Sequence, residues 1–366
     1  MKIVITGAEG FLGTHLRMFL HANAPELEVV SLGRSDFADH KILASALREA
    51  DAVVHFAGMN RGDDDEVYGI NVGLAKTLVS ILEETKIQPH LIFSSSTHIA
   101  RDTKYGQSKK EAMRIFREWG KKSGAPVTNF IFPNIFGEFA KPDYNSAVAT
   151  FCHKIARNEK CEVNGEASVV LLYVKDAVKS VYEAIQNPRN EDVAVEGKEI
   201  RIGELYETIA RFKGEYFNNI IPQLSDSFQL NLFNTFRSYL PEGFYPRFLE
   251  LKTDARGSLF ETVKEKTGGQ TFFSTTKPGI TRGEHYHTRK IERFCVLEGK
   301  AEIKIRKLFE KKAESFLVDG AKPCFVDMPT FYTHNITNIG DSPLLTVFWV
   351  NEIFDPADSD TFFEKV

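Results

Sequence analysis

The chain has 366 residues, more than the ~250–300 at which a single hydrophobic core stops growing, so two domains are expected. Its composition, 42% hydrophobic and 26% charged, is that of a soluble globular protein. A formal charge of -4 leaves no electrostatic footprint for nucleic acid, and no apolar run approaches the ~18 residues of a membrane span, so neither is an expected partner.

The sequence opens on a strand pattern, Lys2-Ile-Val-Ile-Thr6, with no basic segment and apolar core ahead of it, and the expected compartment is the cytoplasm. The four cysteines, Cys152, Cys161, Cys295 and Cys324, form no Cys-x-x-Cys pair and read as buried, reduced thiols. The strand stops at Thr6-Gly7-Ala8-Glu9-Gly10-Phe11-Leu12-Gly13, after which Leu12, Leu16, Phe19 and Leu20 recur at helical spacing. Strand, glycine turn and helix in that order is what a dinucleotide fold needs. Gly7 permits the tight turn, Gly10 lets the backbone approach a pyrophosphate, and Gly13 lets the helix pack close to the strand. The second strand, from Glu28, ends in Gly33-Arg34 and not in an acidic residue. An Asp or Glu would hold a ribose 2′-hydroxyl, whereas an arginine accommodates a 2′-phosphate, so NADPH is expected with Arg34 as its contact.

Ala52-Val-Val-His-Phe-Ala57-Gly58 reads as a buried strand ending where backbone meets the cofactor. The four carboxylates of Asp63 to Glu66 resemble a metal site, but they enter a helix carrying Val67, Ile70, Leu74 and Leu78, whose positive N-terminus they complement. Next, an apolar Leu91-Ile92-Phe93 strand ends in Ser94-Ser95-Ser96-Thr97 and leads into Tyr105-Gly-Gln-Ser-Lys109. On a helix Tyr105 and Lys109 share a face, and an ammonium beside a phenol lowers its pKa from ~10 towards a value useful for proton transfer. A serine hydroxyl from the strand end could bond the same substrate oxygen. The competing reading is an amphipathic helix start with a surface lysine. Tyr286 and Lys290 repeat the spacing without the preceding strand or following helix.

A further helix, the strand from Val127 to Phe132 and the loop Pro133-Asn134-Ile-Phe-Gly137 continue the alternation. It predicts a mainly parallel, doubly wound α/β sheet with helices on both faces and its ligand motifs converging on one edge. Val148, Phe151 and Ile155 recur at helical spacing, so His153 reads as a partly buried helix residue. Two amphipathic stretches between Glu204 and Leu240 are expected to close the substrate pocket or cover a partner surface.

Six motifs in order, Thr6-Gly-x-x-Gly-Phe11-x-Gly13, His55-x-Ala57-Gly58, Ser94-Ser-Ser96, Tyr105-Gly-x-Ser-Lys109, Pro133-Asn134-x-Phe-Gly137 and Tyr173-Val-x-Asp176, resemble the extended short-chain dehydrogenase/reductase family, whose members act on nucleotide sugars. The resemblance implies Tyr105 as acid/base, Lys109 as its modulator and a nicotinamide ribose contact, and Ser96 as substrate hydroxyl, with Thr97 as its rival. It also implies Phe11 and Ala57 beside the cofactor. The segment before Tyr173 lacks the arginine often found there for the substrate phosphates, which leaves Lys141, Lys154 and Arg157 as candidates.

Around Pro241 to Pro246 the helical patterns give way to short alternating segments such as Ala301 to Arg306, so the expected domains are 1–243 and an all-β 244–366. Within the latter, His285 and His287 lie two apart on a strand and so face one side. With Glu292 and the distant His334 they make four N/O ligands for a divalent metal. Gly279-x5-His285-x-His287-x4-Glu292-x6-Gly299 and Pro329-x4-His334-x3-Asn338 resemble the two cupin motifs, with Phe331 where glycine is usual. Zinc suits these ligands without redox chemistry, and the same residue types also accommodate iron, manganese or nickel. Asp254-Ala-Arg256-Gly257 is similar to a motif of the deoxysugar 3,5-epimerases.

The fusion as a whole resembles the CapF-type family of bifunctional capsule and O-antigen enzymes. That implies a UDP-linked 2-acetamido-2,6-dideoxy-hexos-4-ulose as substrate, epimerised at C3 by the cupin and reduced at C4 with NADPH to the L-talose product. Sequence does not fix the oligomer, but cupin sheets often pair, so a homodimer is the expectation. Lys277, Tyr332 and Glu261 are the open candidates for the cupin base. The alternative is a redox-neutral epimerase or dehydratase that retains its nicotinamide, with the cupin as a binding or dimerisation module.

Overall fold

The computed structural model describes residues 1–250, 252–254, 257–259, 262–265, 268–352 and 354–366. They form two compact units, residues 1–150 with 164–204, and residues 151–163 with 205–366. Of the sequence motifs, Ala255, Arg256 and Glu261 lie outside the described residues.

The chain begins with β1 (Lys2–Thr6), α1 (Phe11–Asn23), β2 (Glu28–Leu32), α2 (Arg34–Ala38), α3 (His40–Leu47), β3 (Ala52–His55), α4 (Asp64–Thr85), β4 (His90–Ser96), α5 (Lys104–Ser123) and β5 (Val127–Phe132). It continues with β6 (Asn134–Phe136), α6 (Ala147–Ala156), β7 (Ser168–Tyr173), α7 (Val174–Gln186), β8 (Glu191–Ala194) and β9 (Lys198–Arg201). Six strands make a parallel sheet in the order β2-β1-β3-β4-β5-β8, and β6-β7-β9 form a small mixed sheet. Successive strand residues point to opposite faces. Val4, Val53 and Leu91 therefore pack against Leu43, Leu78 and Phe116 of α3, α4 and α5, while Ile3, Val54 and Ile92 pack against Leu16, Leu20 and Val178 of α1 and α7. Burial on both faces explains why these strands read as continuous apolar runs and not as alternating ones. The order reverses between β1 and β3, and the crevice outside the carboxyl ends at such a point is where ligands bind. Asp63 accepts from the amides of Asp65 and Glu66 at 3.1 Å each, so the acidic run caps α4 as expected.

The second unit holds α8 (Ile202–Tyr216), β10 (Ile220–Ile221), α9 (Ser227–Arg237), β11 (Arg247–Phe248), β12 (Lys252–Asp254), β13 (Gly257–Leu259), β14 (Lys264–Glu265), β15 (Gln270–Thr276), β16 (Thr281–Tyr286) and β17 (Glu292–Glu298). Then come β18 (Lys300–Lys307), β19 (Glu314–Asp319), β20 (Cys324–Met328), β21 (Tyr332–Asn338), β22 (Leu344–Val350) and β23 (Phe362–Phe363). Two five-stranded antiparallel sheets, β11-β20-β17-β22-β15 and β19-β18-β21-β16-β23, share one core in which Phe294, Val326 and Phe348 of the first meet Ile303, Val318 and Ile336 of the second. This is the cupin-like all-β architecture expected from the sequence.

The phenylalanine-rich stretches turn their rings inward: Phe212, Tyr216, Phe233 and Phe236 are buried, with Phe212 and Phe233 5.2 Å apart. Tyr216 also reaches the strands, where its hydroxyl bonds Asp327. Asp327 in turn accepts from Arg293 Nε at 2.7 Å and Nη2 at 3.0 Å, an ion pair wholly out of water. Among the described residues no helix is long and apolar enough to cross a membrane.

Candidate functional site

A cleft of about 700 Å³ opens in the first unit, lined by the Gly7–Gly13 turn and the ends of the next strands, including Gly58, Ser94, Ser95, Ser96 and Pro133, with Tyr105 and Lys109 from α5. The predicted motifs do meet at one edge. Gly7 has φ +69°, and a Cβ there would stand 2.6 Å from the Ala57 nitrogen; one on Gly13 would collide with the Gly7 carbonyl oxygen. Helix α1 starts from Gly10 with no side-chain cap and no acidic residue in its first turn, leaving its first amides for an anionic ligand. This cradle fits a dinucleotide diphosphate. Phe11 lines the cleft, whereas Ala57 is not among its lining residues and meets the glycine turn through its backbone, close against Gly7. Arg34 is exposed at the first position of α2 and is not among the cleft-lining residues; the Gly33 amide beside it donates to Asp36 at 2.8 Å.

Thr103 caps α5 by accepting from the Gly106 amide at 3.1 Å, which sets Tyr105 in the first turn. Lys109, one turn on, is buried; its Nζ donates to the Ser94 carbonyl at 2.9 Å and lies 5.9 Å from the centre of the Tyr105 ring. Burial lowers the Lys109 ammonium to about 8. Burial, with the neighbouring Tyr144 phenol, pushes Tyr105 up to about 12. The sequence-based expectation of a lowered phenol is thus reversed, because desolvation outweighs an ammonium tied to a backbone carbonyl. Ser96 lines the cleft and caps the short 97–100 turn through its hydroxyl, which accepts from the His98 amide at 3.3 Å. Thr97 lines a separate, neighbouring cavity and not this cleft. Of the basic candidates Lys141 lines the cleft, whereas Arg157 belongs to the second unit and donates there to the Tyr239 carbonyl.

Three contributors, Asn71, His98 and Tyr144, escaped the sequence reading, and a fourth, Ser95, entered it only as part of the hydroxyl run at the strand end. Ser95 is buried on the cleft wall with no hydrogen-bond partner for its hydroxyl. Asn71 on α4 clamps the 58–59 turn, accepting from the Met59 amide at 2.7 Å and donating to its carbonyl at 2.8 Å and to Ser108 at 3.0 Å. His98 meets Tyr105 edge-on at 5.9 Å, its basicity lowered by burial and Arg101. Tyr144 stands on the facing loop, whose carbonyls at 143 and 144 accept from Arg61. A polar residue in an otherwise apolar helix stripe was the one available signal, for Asn71. His55 is structural: it bonds Thr6 Oγ1 at 2.8 Å and burial holds it neutral, near 3.

In the second unit His285, His287, Glu292 and His334 offer ligand atoms all within 4.8 Å of one another. His285 and His334 are direct partners across β16 and β21. Glu292 Oε2 lies 3.0 Å from His287 Nε2 and 3.2 Å from His334 Nε2. Burial alone would raise the Glu292 carboxyl, but the two histidines override it and hold it well below the usual range. Three imidazoles and a desolvated carboxylate suit a divalent metal. Phe331 takes the left-handed φ of +63° that glycine usually supplies at this place, and its amide donates to the His287 carbonyl at 2.8 Å. Lys277 is exposed; burial pushes Tyr332 up to about 12. The second Tyr-x-x-x-Lys is packing: Tyr286 stacks on Phe362, and Lys290 bonds the Ser359 carbonyl at 2.6 Å.

Residues 3–203 match the NAD dependent epimerase/dehydratase family, and residues 252–362 match the polysaccharide biosynthesis C-terminal domain. Over 367 aligned positions, 99% of this chain and 98% of the relative, the chain is 32% identical to UDP-2-acetamido-2,6-beta-L-arabino-hexul-4-ose reductase of Pseudomonas aeruginosa. The crystal structure of the capsular polysaccharide assembling protein CapF from Staphylococcus aureus is similar over 100% of both chains, with a TM-score of 0.66 and 37% identity. A UDP-glucose 4-epimerase complex with NAD from Thermus thermophilus, at 18% identity and TM-score 0.52 over 58% of this chain and 84% of that one, shares the fold of the first part. The chain belongs to the NAD dependent epimerase/dehydratase family and is of the CapF type, carrying a polysaccharide biosynthesis C-terminal domain.

Proposed function

We propose that the protein reduces the C4 ketone of a UDP-linked 2-acetamido-2,6-dideoxy-hexos-4-ulose with NADPH, after the second unit has inverted C3 at a metal site, yielding UDP-2-acetamido-2,6-dideoxy-L-talose. The observation that carries this reading is one cleft holding Tyr105, Lys109 and Ser96 beside an uncapped glycine-turn helix. The Pseudomonas aeruginosa relative, named for reduction of such a hexul-4-ose, supports the substrate class.

Bound in the cleft, NADPH supplies a hydride to C4. Tyr105 keeps its proton at neutral pH and releases it to the C4 oxygen as negative charge grows there. Lys109, cationic below about 8, favours the phenolate left behind. Ser96 donates to the same oxygen and orients the ketone. Tyr105 and Lys109 carry the proton chemistry, and Arg34 is assigned to the 2′-phosphate.

In the second unit His285, His287, Glu292 and His334 are assigned to a divalent metal, most simply zinc. When bound, the metal supplies Lewis acidity. The C4 ketone acidifies the C3 hydrogen, so exchange at C3 must precede reduction, which destroys the carbonyl that makes it possible. Incubation of the 4-keto sugar nucleotide in deuterated water, followed by NMR of the ring, tests both steps. C3 deuteration without NADPH, and stoichiometric NADPH loss with a C4 alcohol when it is present, are expected. Turnover with no net NADPH consumption would instead assign a redox-neutral epimerase.

A further inference from the structure

The stretch 360–364 runs alongside two of the four proposed ligands. Phe363 of β23 is the strand partner of His285, and the Glu364 amide donates to the Glu284 carbonyl at 2.9 Å. Asp360 is 4% exposed and adopts a left-handed φ of +42°, uncommon for a residue with a Cβ. Its carboxylate accepts from the backbone amides of Thr288 at 3.1 Å, Arg289 at 2.9 Å and Lys290 at 3.0 Å, and from the Thr288 hydroxyl at 2.6 Å. Its backbone carbonyl receives His287 Nδ1 at 2.6 Å. A carbonyl only accepts, so Nδ1 carries the hydrogen and Nε2 is the atom turned towards Glu292.

We propose that Asp360 is a positioning residue for the metal centre: its carboxylate anchors the left-handed backbone to the 288–290 turn, and its carbonyl thereby fixes the His287 ring with Nε2 facing the other ligands. The proposal rests on the metal reading of the cluster. A ligating imidazole whose other nitrogen is held by an oxygen is oriented before the metal arrives, and losing such a partner costs about 10–100-fold in metal affinity.

Two substitutions isolate the device. Asp360→Gly keeps the backbone free to take positive φ and keeps the carbonyl, but removes the anchor; Thr288→Val removes one anchoring bond without touching Asp360. Zinc and cobalt(II) affinities of the full chain are measured by competition with a chromophoric chelator, together with the visible spectrum of the cobalt form and the folded fraction by circular dichroism. The expected result is a roughly 10–100-fold rise in metal Kd and a changed cobalt spectrum for Asp360→Gly, a smaller rise for Thr288→Val, and partial recovery in Asp360→Asn, which retains an acceptor oxygen. Wild-type affinity and spectrum in Asp360→Gly, or a loss that only tracks the folded fraction, would overturn the proposal. If the wild-type chain itself takes up neither metal, the metal reading fails instead.

Discussion

Lys109 lies one helical turn beyond Tyr105, yet its ammonium donates to the Ser94 carbonyl at 2.9 Å and stands 5.9 Å from the phenol ring. The lysine therefore ties α5 to the end of β4 as well as placing a cation beneath the cleft. Burial keeps the phenol protonated, which suits an acid that must hold its hydrogen until an alkoxide forms.

Replacing Tyr105 with Phe removes that acid while leaving the ring. We expect kcat for ketone reduction to fall by about 10²–10⁴, with NADPH binding by fluorescence titration unchanged. An unchanged kcat would remove Tyr105 from the chemistry.

Lys109 gives a pH dependence with two opposite signs. Its folded pKa is depressed from 10.5 to about 8, so the ammonium disappears as pH rises through about 8 and reduction should slow over that range. Between about 8 and 10.5 the unfolded chain binds the additional proton, so this group makes stability rise with pH where activity declines. Parallel rate and urea-denaturation profiles check both; in Lys109→Arg, whose charge persists, the alkaline loss of rate at pH 8 should vanish.

Glu292→Gln removes the one anionic member of the metal cluster at nearly constant volume. Metal content after dialysis should drop to background, and solvent exchange at C3 should stop. NADPH-dependent reduction of a substrate already inverted at C3 should continue, since Tyr105 and Lys109 belong to the other unit.

Arg293 and Asp327 predict an asymmetry in stability. Arg293→Met removes the two-pronged partner of the buried Asp327 carboxylate, leaving it the Tyr216 hydroxyl and the neighbouring Arg237 charge, and should cost at most roughly 3–5 kcal/mol in urea unfolding. Adding Asp327→Leu should restore only part of it, because the buried Arg237 guanidinium then loses its neighbouring carboxylate.

The glycine turn, the Tyr105–Lys109 pair, the buried strands and the His285-x-His287 pattern were legible because each is local: a spacing, a period or a turn residue declares it. Asn71 and Asp360 were not, because their roles arise from contacts between segments distant in sequence, such as the 72 residues from Thr288 to Asp360. The direction of the Tyr105 shift was missed for the same reason, since desolvation depends on what the fold stacks around a ring. The amphipathic stretches after Glu204 had shown their apolar faces but not their destination; Tyr216 shows that one end of it is Asp327.

Arg293 follows Glu292 directly on β17, and their cross-strand partners on β20 are Asp327 and Met328. Neighbours on a strand face opposite sides, so the ion pair lies behind the sheet from the imidazoles. A slip of β17 by a single residue would turn a guanidinium towards three histidines and strand the carboxylate among the aromatic rings of the helices. The salt bridge is thus a registration pin: charge hidden on one side guarantees which charge is presented on the other.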